Sequence, residues 1–206
     1  IRRIKTYIGD NFRLYQRQLR NRRSDPSIAG VFPGLAGVRT RRWSINSVYS
    51  TEQLLDMFRI ASLTQGSNNI ALTAEKFRGW LEDLFISPLN VETRAKAILI
   101  QFSEELGTDE KESLIEIIEC AEKEQSAKDD ELLISLSEWL DENPTGQCVL
   151  YCSDPKVADH VASFLGINLQ HPTERHLIKN EPKFLTDKTY RVLVCDENGE
   201  DGLNLN

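Results

Sequence analysis

The sequence lacks the features of several common classes of protein. No apolar stretch approaches the roughly 20 residues that a transmembrane helix needs, and no secretory signal pattern opens the chain. None of the four cysteines forms a C-x-x-C pair, and the three histidines lack metal-ligand spacing. We therefore expect a cytoplasmic protein with no membrane partner, no metal site and no disulfide framework.

The sequence also lacks the residues that a nucleotide hydrolase or a small α/β enzyme would need. No Gly-Lys-Ser/Thr occurs, so the phosphate-binding loop of ATPases is missing. The acidic runs at 109–110 and 129–131 fall at predicted helix starts, where carboxylates complement the helix dipole and are better explained as caps than as Mg²⁺ ligands. No nucleophile–base constellation is evident. We predict no catalytic residue in this chain.

The charge is distributed very unevenly. Residues 1–42 contain eleven Lys/Arg against two Asp, a net charge of +9, whereas the remaining residues have a net charge of −16. A basic block of this density favours contact with phosphates, although a solvated face of the helix predicted over residues 3–22 is the simpler alternative. Trp43 is a candidate for base stacking. The candidate nucleic-acid-binding residues are Arg20, Arg22, Arg23, Arg41, Arg42 and Trp43.

The middle of the chain has the apolar periodicity of helices. After a linker over residues 24–50, Ser50 and Gln53 form a predicted capping box. Apolar stripes at helical spacing follow, the last two in separate helices, one from Thr108 to about residue 121 and one over 129–140. Residues 101–142 have fifteen Asp/Glu and three Lys, a net charge of −12. Such a surface would be solvated or would bind a basic partner.

The pattern changes after residues 143–146. The short apolar runs 148–152 and 191–195 are typical of strands that are buried on both faces. Between them, Asp154 and Pro155 begin a helix that is predicted to extend to about Leu165. Strand, helix and strand in this order predict an α/β fold with parallel strands and a crossover helix.

The residues after the second strand resemble helicase motif V of Swi/Snf-family ATPases, which ends in Glu-Gly-x-Asn-x-Gln. The chain departs from that pattern in three places: Asp201 stands for Glu, Asn206 for Gln, and Asp196 for the usual Ser/Thr. The changes at Asp201 and Asn206 keep the acidic and amide chemistry but shorten the reach of the side chain. The motif V residues implied by the resemblance are Glu197, Gly199, Asp201, Gly202, Asn204 and Asn206.

Other segments agree with the assignment of motif V, and their sequences are most similar to the bacterial RapA-like branch of the family. Residues 148–165 resemble the motif IV strand and helix, residues 175–184 the helix before motif V, and residues 19–34 the basic segment that closes lobe one. The resemblance implies three parts: a basic helix and linker closing lobe one (1–45), a helical inter-lobe insertion (46–127), and the first half of a second RecA-like, P-loop NTPase-type lobe with a parallel sheet (128–206).

The resemblance implies an internal fragment of an ATP-dependent DNA translocase, running from the end of lobe one to motif V. The parent protein would hydrolyse ATP with Mg²⁺ and act on double-stranded DNA, with RNA polymerase or a DNA-modification or defence complex as candidate partners. The fragment alone would be inactive, because the phosphate-binding loop and the arginine finger lie in other parts of the family's sequence. The alternative is a non-enzymatic helical adaptor that binds a basic partner through its acidic helices.

Overall fold

The computed structural model describes residues 40, 42, 44, 49–64, 74–177 and 181–199. The chain divides between Trp43 and Ser44 into two units, and all helices and strands in these ranges lie in the second. They are α1 (Thr51–Thr64), α2 (Ala74–Ile86), α3 (Pro88–Gln101), α4 (Thr108–Glu142), β1 (Cys148–Tyr151), α5 (Pro155–Asn168), β2 (Thr173–Arg175), α6 (Lys183–Thr186), β3 (Val192–Cys195) and a 3₁₀ turn (Glu197–Gly199).

The helix starts are set by local capping. The predicted capping box is confirmed: Ser50 N–H donates to Gln53 Oε1 (2.9 Å) and Gln53 N–H donates to Ser50 Oγ (3.2 Å). Ser87 caps α3, with proline at the first helical position. In the same way Asp154 Oδ1 accepts from the backbone N–H groups of Lys156 and Val157, so α5 begins where the sequence predicted.

Helices α1 to α4 share one hydrophobic core. Its largest member is Trp80, which is fully buried, and the four helices supply the other apolar residues. The other buried members of this core are Leu55, Phe58, Val91, Ala95, Leu106, Leu114, Ile117 and Ile118. Burial of an aromatic side chain of this size supplies much of the stability of such a cluster.

Helix α4 is a single helix of 35 residues, so the prediction of two helices over this segment was wrong. Its first part packs in the core around Trp80, and its last part, with Leu136 and Leu140, packs against α5 and the sheet. Asp129 was expected to cap a new helix, but it lies within α4 and is buried. The domain boundary predicted at 127/128 falls inside this helix.

A buried chain of hydrogen bonds runs from the start of α3 through α4 to α5. Ser87 Oγ donates to Gln125 Oε1 (2.7 Å), Gln125 Nε2 donates to Asp129 Oδ1 (2.8 Å), and Asp129 Oδ2 lies 2.7 Å from His160 Nε2. Buried polar groups need such partners, and a satisfied chain favours one arrangement of the elements it joins. Three elements of the fold are therefore held in register by polar contacts.

The three strands form a parallel sheet in the order β1-β3-β2. Cys148 pairs with Val192 and Tyr151 with Cys195, so the parallel pairing predicted for these two runs is confirmed. Because alternate side chains point to opposite faces, Val192 and Val194 of β3 pack with α4 and α5, whereas Leu193 packs with Phe184 on the other face. The central strand is thus buried on both faces, as its apolar sequence indicates.

The segment between α5 and β3 differs from the expectation. A helix was predicted over residues 175–184, but Arg175 ends strand β2, residues 176, 177, 181 and 182 are not helical, and α6 has only four residues. Glu174 Oε1 and Oε2 accept from the backbone N–H groups of Lys183 and Phe184, so a side chain of β2 fixes the start of α6.

At the level of class, the fold is α/β: mostly helices with a small parallel sheet. None of the helices in the described part of the chain combines the length and the apolar character needed to cross a membrane.

Candidate site at the carboxyl edge of the sheet

The loops that follow the three strands meet at one edge of the sheet. Cys152 follows β1, His176 follows β2 and Asp196 follows β3. Backbone hydrogen bonds join them to the central strand: Cys152 N–H donates to Cys195 O, and His176 N–H donates to Val194 O, both at 2.8 Å. Ligands of parallel α/β sheets bind outside this edge, so it is the candidate functional site.

A part-buried arginine, Arg175, organises this edge. Arg175 Nη2 lies 2.6 Å from Asp196 Oδ2, its Nε lies 2.8 Å from Asp159 Oδ1, and its Nη1 donates to His176 O (2.7 Å). Burial alone would lower the pKa of Arg175, but the hydrogen bonds to both carboxylates outweigh it and raise that pKa. The guanidinium therefore links α5 to the residue that begins the loop after β3.

The 3₁₀ turn after β3 lies directly over the end of that strand. A Cβ atom on Gly199 would come 2.7 Å from Cys195 Cβ, and it would lie 3.5 Å from His176 Nδ1. No side chain fits at this distance from another Cβ, so the close approach requires glycine. His176 is buried, and its Nδ1 has no hydrogen-bond partner among the described residues.

The thiols in the described ranges have raised pKa values. Burial raises the pKa of Cys195 to about 11, and it also raises the pKa values of Cys120, Cys148 and Cys152. Because the thiolate is the nucleophile, these shifts disfavour covalent chemistry at the thiols. Within the same ranges, no set of three His, Cys, Asp or Glu side chains is arranged to hold a metal ion.

The structure describes only part of the predicted site. Glu197 is exposed and Gly199 is buried, both in the turn at the carboxyl edge, and Arg42 is exposed in the other unit. The remaining predicted residues lie outside the described ranges: Asp201, Gly202, Asn204, Asn206, Arg20, Arg22, Arg23, Arg41 and Trp43.

Sequence reasoning missed Arg175, His176 and Asp159, which the fold brings to the same edge. Arg175 was placed in a helix, because the three polar residues of β2 carry no apolar strand signal. A weak signal was present. Thr173 is β-branched, which favours a strand. Pro172 favours extended backbone at the residue before it.

Comparison with known proteins gives no family model, no curated protein and no solved structure that matches this chain.

Proposed function

We propose that this chain is an internal segment of an ATP-dependent DNA translocase of the Swi/Snf type, and that residues 196–206 are its motif V. The observation that carries the proposal is the position of this loop. It leaves the carboxyl end of β3, the central strand of a parallel sheet that is buried on both faces. In α/β sheets this is where loops contact nucleotides and their phosphates. A RecA-like second lobe would begin with strands of this kind.

The contacts around the loop support a sensing role. Asp196 is held by Arg175, which is also held by Asp159 of α5, so a displacement of the loop is coupled to α5. Through His160, α5 is joined to α4 by the buried polar chain. A continuous set of contacts therefore joins the loop after β3 to helix α4.

The chain does not supply the groups that would bind ATP and Mg²⁺, since it contains no phosphate-binding loop. We expect the purified protein to show no ATP hydrolysis above the buffer rate, with or without DNA, in a phosphate-release assay. Turnover that follows the protein peak through gel filtration would contradict the proposal. The coding sequence on either side gives a positive test: a G-x-x-x-x-G-K-S/T stretch upstream and a Q-x-x-G-R-x-x-R-like stretch downstream are expected.

The basic segment of residues 1–42 is proposed to contact the DNA backbone. With about four phosphates neutralised, the logarithm of the association constant should fall with the logarithm of the salt concentration at a slope of about −3 to −4. The slope should not depend on the DNA sequence. Replacing Arg20, Arg22 and Arg23 by Glu should reduce both the affinity and the slope, as measured by fluorescence anisotropy on a DNA duplex.

The matched control reverses three charges elsewhere, at Lys111, Lys123 and Lys128 of α4, and should change the DNA affinity little. If the unchanged protein shows no binding at low salt, the arginines do not contact DNA in this chain, and the proposal for this segment fails.

One observation favours the adaptor as the second candidate. Glu112, Glu116 and Glu119 are exposed on α4 at spacings that place them on one face, and none forms an ion pair with a described residue. A basic partner would dock there. Salt-sensitive binding of a basic peptide that is lost on replacing the three Glu by Gln, in a protein that does not bind DNA, would favour this function.

A further inference from the structure

A groove of about 640 Å³ lies at the opposite, amino edge of the sheet. Two prolines, Pro144 and Pro172, form part of its wall, and its polar lining residues are Thr145, His171, Lys188, Thr189 and Arg191. No carboxylate lines it, although the chain outside residues 1–42 has a net charge of −16. The groove is therefore a cationic site in an acidic part of the protein.

Arg191 is the most unusual residue of this groove. Arg191 is only 8% exposed, and within the described ranges it forms no ion pair. Its Nε donates to Gly146 O (2.5 Å) and its Nη2 to Asn143 O (2.7 Å), while Nη1 has no acceptor among the described residues. A buried charge is normally compensated by an opposite charge. Arg175, which is only part-buried, has two carboxylates as partners.

The two carbonyl groups that accept from Arg191 compensate its charge only in part. Asn143 is the C-cap of α4, and Gly146 lies in the turn after the helix, so both acceptors are neutral backbone groups. Neutral acceptors are weaker partners than an ionised oxygen. The free edge of the guanidinium, with the N–H groups of Nη1, is thus left for an anion that enters the groove.

The residues around Arg191 match an oxyanion with several oxygen atoms. Lys188 is exposed on the groove, and its Nζ donates to Gln147 Oε1 (2.6 Å), which holds the ammonium group in place. Thr145 offers a hydroxyl group. Thr189 Oγ1 donates to Asp187 Oδ1 (2.7 Å) and is not available as a donor. Hydrogen bonds from Thr189 lower the pKa of Asp187, which is not among the residues that line the groove.

We propose that this groove binds a phosphate group, with Arg191, Lys188 and Thr145 as its donors and His171 on its rim. The guanidinium fork and an ammonium group are the side chains that bind phosphate oxygens in proteins. The site lies at the edge of the sheet opposite to the motif V loop, so it is separate from the proposed translocase site and does not depend on that proposal.

Chemical-shift titration of the ¹⁵N-labelled chain tests this site. Sodium pyrophosphate is added at constant ionic strength, with sodium chloride as the reference, and the Arg191 Nε–Hε signal and the Thr145 and Lys188 amide signals are followed. We expect saturable shifts at these positions. Lys188→Gln should raise the dissociation constant about three- to tenfold, the loss of one charge-assisted hydrogen bond. Lys156→Gln, the same change at an exposed lysine on α5, should leave it within about twofold.

Two further arms identify the source of the phosphate. Inorganic phosphate or pyrophosphate alone causing the shifts would indicate a small phosphate compound. A short DNA duplex that shifts the same signals and is displaced by pyrophosphate would indicate a nucleic-acid backbone. The duplex is tested on the variant with Arg20, Arg22 and Arg23 replaced by Glu, so that the basic segment does not dominate.

Three results would overturn the proposal: no saturable shift with any phosphate ligand, equal shifts with chloride, or the same loss of affinity in Lys156→Gln and Lys188→Gln. Arg191→Lys is a poor first test, since the change also removes hydrogen bonds to the turn that follows α4. Lys188→Gln avoids this difficulty because Lys188 is exposed.

Discussion

Replacing Ser126 by proline is expected to lower the free energy of unfolding by about 3 kcal/mol or more. Ser126 is an exposed residue near the middle of α4. Proline there removes a backbone hydrogen bond, and its ring clashes with the carbonyl group one turn earlier. The kink would also disturb the buried chain at Gln125 and Asp129. Urea unfolding followed by circular dichroism measures the change.

Two variants serve as controls. Ser126→Ala keeps the helix and should stabilise it by a few tenths of a kcal/mol. Thr108→Pro places proline at the first position of the same helix, where the N–H group has no helical partner and Gly107 is already extended, so the change should stay within about 0.5 kcal/mol. If Ser126→Pro is tolerated as well as Thr108→Pro, the segment contains two helices and the continuous α4 is wrong.

The continuity of α4 could not be predicted from apolar periodicity. Between Ala121 and Leu132, the buried positions of the helix are Gln125 and Asp129. They continue the inner face at helical spacing, but their partners, Ser87 and His160, are distant in sequence. A polar residue in a pattern indicates a surface or a cap, unless its partner is known. The missing information was therefore tertiary.

The strands show the opposite case. The apolar runs predict the strands β1 and β3, and Asp154-Pro155 predicts the start of α5, because each signal is local. Burial on both faces was predicted for both strands, but only β3 is fully buried, whereas β1 is part-buried and Tyr151 is exposed. Strand β2 was missed, since its three residues are all polar and its place in the sheet depends on pairing with β3, which is distant in sequence. The candidate site follows the same division: the loop after β3 was predicted from its sequence, but the contribution of Arg175 and His176 depends on an unrecognised strand.

Replacing Arg175 by alanine is expected to lower the free energy of unfolding by about 3–5 kcal/mol, the usual cost of breaking a buried ion pair. The side chains of Arg175 and Asp196 are only 15% and 8% exposed, so little solvent screens the carboxylate that remains. Asp159 contributes less, because its side chain is 67% exposed. Urea unfolding gives the loss of stability. Faster hydrogen exchange at the Gly199 amide, which donates to Asp196 O (2.9 Å), would localise it to the loop after β3.

The matched control is Arg78→Ala in α2, which breaks a pair with Glu82 whose side chains are 81% and 59% exposed. This change should cost less than about 1 kcal/mol, because water already screens the pair. Arg175→Met keeps most of the apolar stem and separates lost packing from lost charge. If Arg175→Met is as stable as the original protein, or if Arg175→Ala costs no more than Arg78→Ala, the guanidinium does not hold the carboxyl edge together. The coupling proposed between the motif V loop and α5 then fails, because Arg175 is the contact that joins them.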